Sequence, residues 1–101
     1  MHNYTESINL LINRFPVLRP IYEENIYDYE GLPYAFYESI FVKYVMEKIQ
    51  SSDDSELNRI FMFIEELLLN GDEEMRNLVD VAVIESLYHE DSFNEFYAEL
   101  L

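Results

Sequence analysis

The 101 residues carry 21 acidic and 6 basic side chains, a formal net charge of −15, and half of the positions are hydrophobic. A chain of this size suits one domain, expected over residues 1–101, with one sizeable core. Its charge repels phosphate and anionic lipid, so neither direct nucleic-acid binding nor membrane binding is expected.

Cysteine is absent, which removes disulfides, thiol nucleophiles and thiolate metal sites and is compatible with a cytoplasmic location. No apolar run approaches the ~20 residues of a membrane helix. The start Met1-His2-Asn3 lacks the basic and apolar pattern of a signal peptide. Nine Tyr and seven Phe argue for a packed core, and two Gly with three Pro leave few turns for a multi-stranded sheet. Long periodic segments joined by few turns predict an all-α chain.

In chain order, residues 5–14 form the first predicted helix, with Ile8, Leu11, Ile12 and Phe15 on one face, Thr5 as N-cap and Pro16 as stop. Pro20 can open a short turn of helix ending before Asn25. Residues 22–31 mix aromatics with carboxylates without a clean period and read as a structured connection. Its tyrosines have two readings, ring in and hydroxyl out, or a partner-facing patch.

Pro33 opens a second helix to about residue 50, with Phe36, Ile40, Phe41, Tyr44, Val45 and Ile49 as its stripe. Lys43 and Glu47 are spaced for a weak pair. Asp53 and Glu56 have capping-box spacing for a third helix over 54–69, whose core face is Leu57, Ile60, Phe61, Ile64, Leu67 and Leu68. Asn70-Gly71 ends it, with Gly71 expected in the left-handed C′ conformation.

Asp72 starts a fourth helix with Met75, Leu78, Val79, Ala82, Val83 and Leu87 on one side. Val81, Ile84 and Tyr88 lie elsewhere on the wheel, which predicts a helix covered on more than one side. The short link makes helices three and four an αα-hairpin. Ser92 and Glu95 cap a short last helix with Phe93, Phe96, Tyr97 and Leu100 inward. The expected architecture is a compact all-α bundle of about five helices around the central hairpin.

Catalytic chemistry has little to stand on. The histidines are His2, near an end expected to fray, and His89, beside Glu90 and Asp91 at a helix end. Adjacent residues on a helix point to different faces, so these three are not expected to form a metal site. Phosphate loops, HExxH and GxSxG are missing. No catalytic residue, metal or cofactor is therefore expected. Glu85 has two readings: a buried anchor to a Tyr hydroxyl, Arg14 or Arg19, or a solvated side chain on a rotated helix.

Residues 72–87, opening Asp72-Glu73-Glu74-Met75-Arg76-Asn77-Leu78 and closing Glu85-Ser86-Leu87, resemble a family of small acidic helical bacterial proteins found as immunity proteins of polymorphic toxin systems. Phe63-Ile64-Glu65, the Asn70-Gly71-Asp72 turn and the Pro33-Tyr34-x-Phe36 start also fit, so the resemblance spans roughly residues 33–91. The same hairpin is similar to one HEAT-type unit, with Met75-Arg76 where such units carry Val-Arg. A single unit does not make a solenoid. The resemblance implies partner binding without catalysis.

The charge itself is uneven, −10 in residues 60–101 against −5 in residues 1–59. An excess this large exceeds the ~2–8 units that solubility recommends, and self-repulsion costs stability. A basic partner is the expected compensation, and a toxin domain such as a nuclease has the matching surface. Candidate contacts are Asp72, Glu73, Glu74, Asp80, Glu90 and Asp91, with Tyr27, Tyr29 and Tyr88 as candidate anchors. Two alternatives carry the same charge: a nucleic-acid mimic that inhibits a DNA-binding protein, and a helical adaptor. The chain is expected to be a monomer or homodimer.

Overall fold

The computed structural model describes residues 2–90, and every named element among them is helical. A 3₁₀ turn, Tyr4–Glu6, leads into α1 (Ser7–Arg14), and a second one, Pro16–Leu18, leads into α2 (Arg19–Glu24). Pro20 occupies the first turn of α2, where its missing N–H costs nothing. One further turn, α3 (Ile26–Tyr29), lies inside the stretch expected to be an aperiodic connection. α4 spans 33–50, α5 is Asp54–Asn70, and α6 spans 73–88.

Both α4 and α6 contain a π turn, Tyr37–Phe41 and Val79–Ile84 respectively, and the two π turns pack against each other. A π turn brings residues five apart onto one side of the helix. Phe36 and Phe41 are thereby both fully buried, as are Leu78 and Val83. In α4 the extra residue also turns Tyr37, Val42 and Met46 inward, three positions the α-helical stripe omits. Ile40 and Ile49, expected in that stripe, are only partly buried.

One hydrophobic cluster joins α1, α4, α5 and α6. Phe15 sits among three rings, at 5.8 Å from Phe41, 5.9 Å from Tyr44 and 5.5 Å edge-on to Phe63. Burying such a ring stabilises the fold by about 1.5–3 kcal/mol. All six residues expected on the inner side of α6 are buried. Of the apolar positions elsewhere on its wheel, Ile84 is partly buried against the core, whereas Val81 and Tyr88 are 40% and 57% exposed, so the helix is covered on more than one side only in part.

Tyr37 is buried in this core and donates its hydroxyl to the Ser7 carbonyl at 2.7 Å. Burial holds that phenol far above its ordinary pKa, so it stays a donor. Glu85 is exposed, which selects the solvated reading. The arginines expected as its partners are engaged elsewhere, Arg14 on Glu66 at 2.9 Å and Arg19 on Asn13 at 2.8 Å.

Two local expectations are corrected. Thr5 lies within the 3₁₀ turn and does not cap α1, which starts from Glu6 without a side-chain cap. Gly71 is extended (φ −82°, ψ 156°), not left-handed. Its backbone forms a parallel bridge with His2: the His2 N–H donates to the Asn70 carbonyl at 2.7 Å, and the Asp72 N–H to the His2 carbonyl at 2.9 Å. A Cβ at Gly71 would lie 2.7 Å from Met75 Cγ and clash with the Leu67 carbonyl, so close approach is what requires glycine here. The left-handed glycine is Gly31, at φ +71° between α3 and α4.

The capping positions of the hairpin helices follow the sequence. Asp53 accepts the Glu56 N–H at 3.2 Å, and Asp72 accepts the Met75 N–H at 2.8 Å. The Glu56 carboxylate does not close a capping box; it takes the Tyr44 hydroxyl and the Arg59 guanidinium instead. The last helix predicted from Ser92, Glu95, Phe93, Phe96, Tyr97 and Leu100 lies outside the described residues. No helix among the described residues is long and apolar enough to cross a membrane.

Candidate functional site

The α5–α6 hairpin determines where the acidic side chains point. Capping by Asp72 starts α6 at Glu73, and burial of Met75, Leu78, Val79, Ala82 and Val83 turns the other side outward. Glu73, Glu74 and Asp80 are therefore exposed, and they line one open groove of about 570 Å³ with Tyr34, Leu68, Arg76 and Asn77. Tyr34 comes from the first turn of α4 and Leu68 from α5, so three helices build the groove.

The groove wall is organised by hydrogen bonding and ring contact. The Asn77 side-chain amide donates to the Tyr34 hydroxyl at 2.6 Å, and the Tyr4 ring lies 6.0 Å from the Tyr34 ring. Burial, the Tyr34 hydroxyl and the Glu74 carboxylate raise the Tyr4 phenol above its ordinary value. Three carboxylates against one guanidinium make the groove a region of negative potential.

Elsewhere most basic side chains are used within the fold. Arg14 lies 5.1 Å over Phe63 and pairs with Glu66; Arg59 lies 5.1 Å over Phe15 and pairs with Glu56; Lys48 lies 5.2 Å over Tyr44 and 3.9 Å from Asp53. Among the described residues the ion pairs engage only Glu66, Glu56 and Asp53 of the carboxylates. Lys43 and Glu47 form none. The acidic excess on α6 is left without internal compensation.

The other candidate residues do not gather at this groove. Asp72 turns its carboxylate inward, to the Met75 N–H and, through Oδ2, to the Tyr4 N–H at 3.2 Å. Tyr29 is half-buried, 5.4 Å edge-on to Phe36. Tyr27 is 99% exposed on α3, and Tyr88 projects from the far end of α6. Glu90 is exposed beyond α6, and Asp91 lies outside the described residues. Tyr34 is not among the candidate anchors, because the sequence presents it as the residue after a helix-opening proline and as part of the Pro33-Tyr34-x-Phe36 start, with no sign that it is exposed. No group of three His, Asp or Glu among the described residues is placed to hold a metal ion.

Residues 8–101 match a family described as a domain of unknown function, DUF7674. The chain belongs to this family. The matched span takes in every residue of the groove. No curated protein and no solved structure matches the chain.

Proposed function

We propose that this member of DUF7674 is a protein-binding module that neutralises a basic partner, acting as an immunity protein toward a toxin domain such as a nuclease. The observation that carries the reading is the groove on α6, where Glu73, Glu74 and Asp80 stand exposed around Tyr34 and Leu68. Lys and Arg side chains that hold phosphate in a nuclease cleft match such a surface. Carboxylates would steer the encounter, while the aromatic and aliphatic wall supplies contact area. The likeness of the hairpin to immunity proteins agrees with this role, and the role needs no catalytic step.

The test requires the partner, sought first in the product of the adjacent gene. The variant Glu73→Gln/Glu74→Gln/Asp80→Asn removes three charges and leaves the Asp72 cap in place. Its association should be slower and less dependent on salt than that of the native chain. Tyr34→Ala should mainly speed dissociation. Unchanged association kinetics at two ionic strengths would place recognition elsewhere or remove the charge-steered reading altogether.

A further inference from the structure

Residues 2–6 meet the start of α6 through a set of polar links, with the Tyr4 ring partly buried against Tyr34. His2 uses its backbone on both sides of Gly71, donating to the Asn70 carbonyl and accepting from the Asp72 N–H. Its ring Nε2 lies 2.7 Å from Glu66 Oε2 on α5, which Arg14 on α1 reaches at 2.9 Å. Asp72 divides its carboxylate, Oδ1 capping α6 at the Met75 N–H and Oδ2 accepting the Tyr4 N–H. The 3₁₀ turn Tyr4–Glu6 buries no residue, and the His2 and Glu66 side chains are 29% and 32% exposed. A segment with one partly buried ring, no fully buried residue and half-exposed polar links opens at a lower free energy than the core it lies on.

We infer that residues 2–4 form a strap that opens as one unit with the first turn of α6. Opening frees the Asp72 N–H and one of its carboxylate oxygens, and releases the extended conformation at Gly71 from which α6 begins. The cap on Met75 is then no longer held in place. α5, anchored by Ile60, Phe63 and Leu67 in the core, stays closed. Because that first turn carries Glu73 and Glu74, strap closure would tune how the groove is presented. This consequence rests on the protein-binding reading; the opening itself does not.

Amide hydrogen exchange on the free, full-length chain separates the two. The Tyr4, Asp72 and Met75 amides should exchange at similar rates, well above those of Ile60 and Ile64. His2→Ala should accelerate all three together by about two- to fivefold, the scale of one half-exposed pair, while Ile60 and Ile64, which sense only the change in global stability, stay well slower than these three. Glu66→Ala cuts the same link from α5, together with the Arg14 pair, and should likewise accelerate Tyr4, Asp72 and Met75 together. If Tyr4 accelerates in both variants while Met75 does not, the strap opens alone and the inference fails. Exchange of Tyr4, Asp72 and Met75 as slow as that of Ile60 and Ile64 in the native chain would make the opening unit the whole fold, which also overturns it. Neither result depends on a partner.

Discussion

Single residues show how much of this fold is decided by close contact. At Gly71 the backbone is extended and pressed against Leu67 and Met75, whereas at Gly31 it is left-handed in open space. The two glycines should therefore respond differently to alanine. Gly71→Ala is expected to cost about 1–3 kcal/mol through overpacking. Gly31→Ala should cost about 1 kcal/mol through backbone strain, and Gly31→Asn less, since Asn tolerates positive φ. Denaturant unfolding of the three variants checks both, and a harmless Gly71→Ala would refute the steric account. Glu66 offers a pH test. The hydrogen bond from Arg14, and secondarily that from His2, hold its carboxyl below the ordinary value against the opposing effect of burial. A depressed folded pKa stabilises the fold above the unfolded value of about 4.3 and loses that contribution as pH falls through the folded one. The native chain should thus be more stable than Glu66→Gln near neutral pH, with the difference shrinking toward pH ~3. A difference that stays constant over this range would show that the ionised carboxylate is not what Arg14 and His2 stabilise.

Helices α5 and α6 both start at an aspartate cap, but the caps are not equivalent. Asp53 serves the Glu56 N–H and stands 3.9 Å from Lys48 in a half-exposed pair. Asp72 serves the Met75 N–H and also the Tyr4 N–H, so it joins α6 to the residues preceding α1. Asp53→Ala should cost about 1 kcal/mol and Asp72→Ala about 2, the second value adding one net hydrogen bond to an ordinary cap. Thermal or chemical unfolding ranks the two, and equal losses would mean that the Tyr4 link contributes nothing. The π turns are the other feature at this scale. The stripe expected over 33–50 holds Ile40 and Ile49, which are only partly buried, and omits Tyr37, Val42 and Met46, which are buried at and after the π turn. A period of 3.6 therefore finds α4 as a helix but misplaces part of its inner face.

For the molecule as a whole, charge is the dominant unbalanced quantity. The net −15 is only locally offset, because Arg14, Arg59 and Lys48 are drawn onto the aromatic core and its rim. Added salt screens repulsion between exposed charges beyond about 8–10 Å. The melting temperature should consequently rise between low and physiological ionic strength. The Glu73→Gln/Glu74→Gln/Asp80→Asn variant should melt no lower than the native chain and should gain less from salt. A melting temperature that falls as salt is added would mean that the exposed carboxylates stabilise the fold through attractions absent from the ion pairs described above.

Apolar periodicity, prolines and capping aspartates were enough to determine that the chain is helical, where α4, α5 and α6 begin, and all six inward residues of α6. These features act within a few residues, through backbone hydrogen bonding and one buried face, so they are written locally. Composition likewise determined the sign and the excess of the charge. Tertiary structure decided the rest. It placed Glu73, Glu74 and Asp80 beside Tyr34 and Leu68 from other helices, turned Asp72 inward, and left Tyr27 and Tyr88 away from that groove. It also made Gly71 a point of close approach and tied down His2, which reads as a free end in the sequence. Such juxtapositions depend on how distant segments pack, and the pairing of residues 2–4 with 70–72 has no short-range signature.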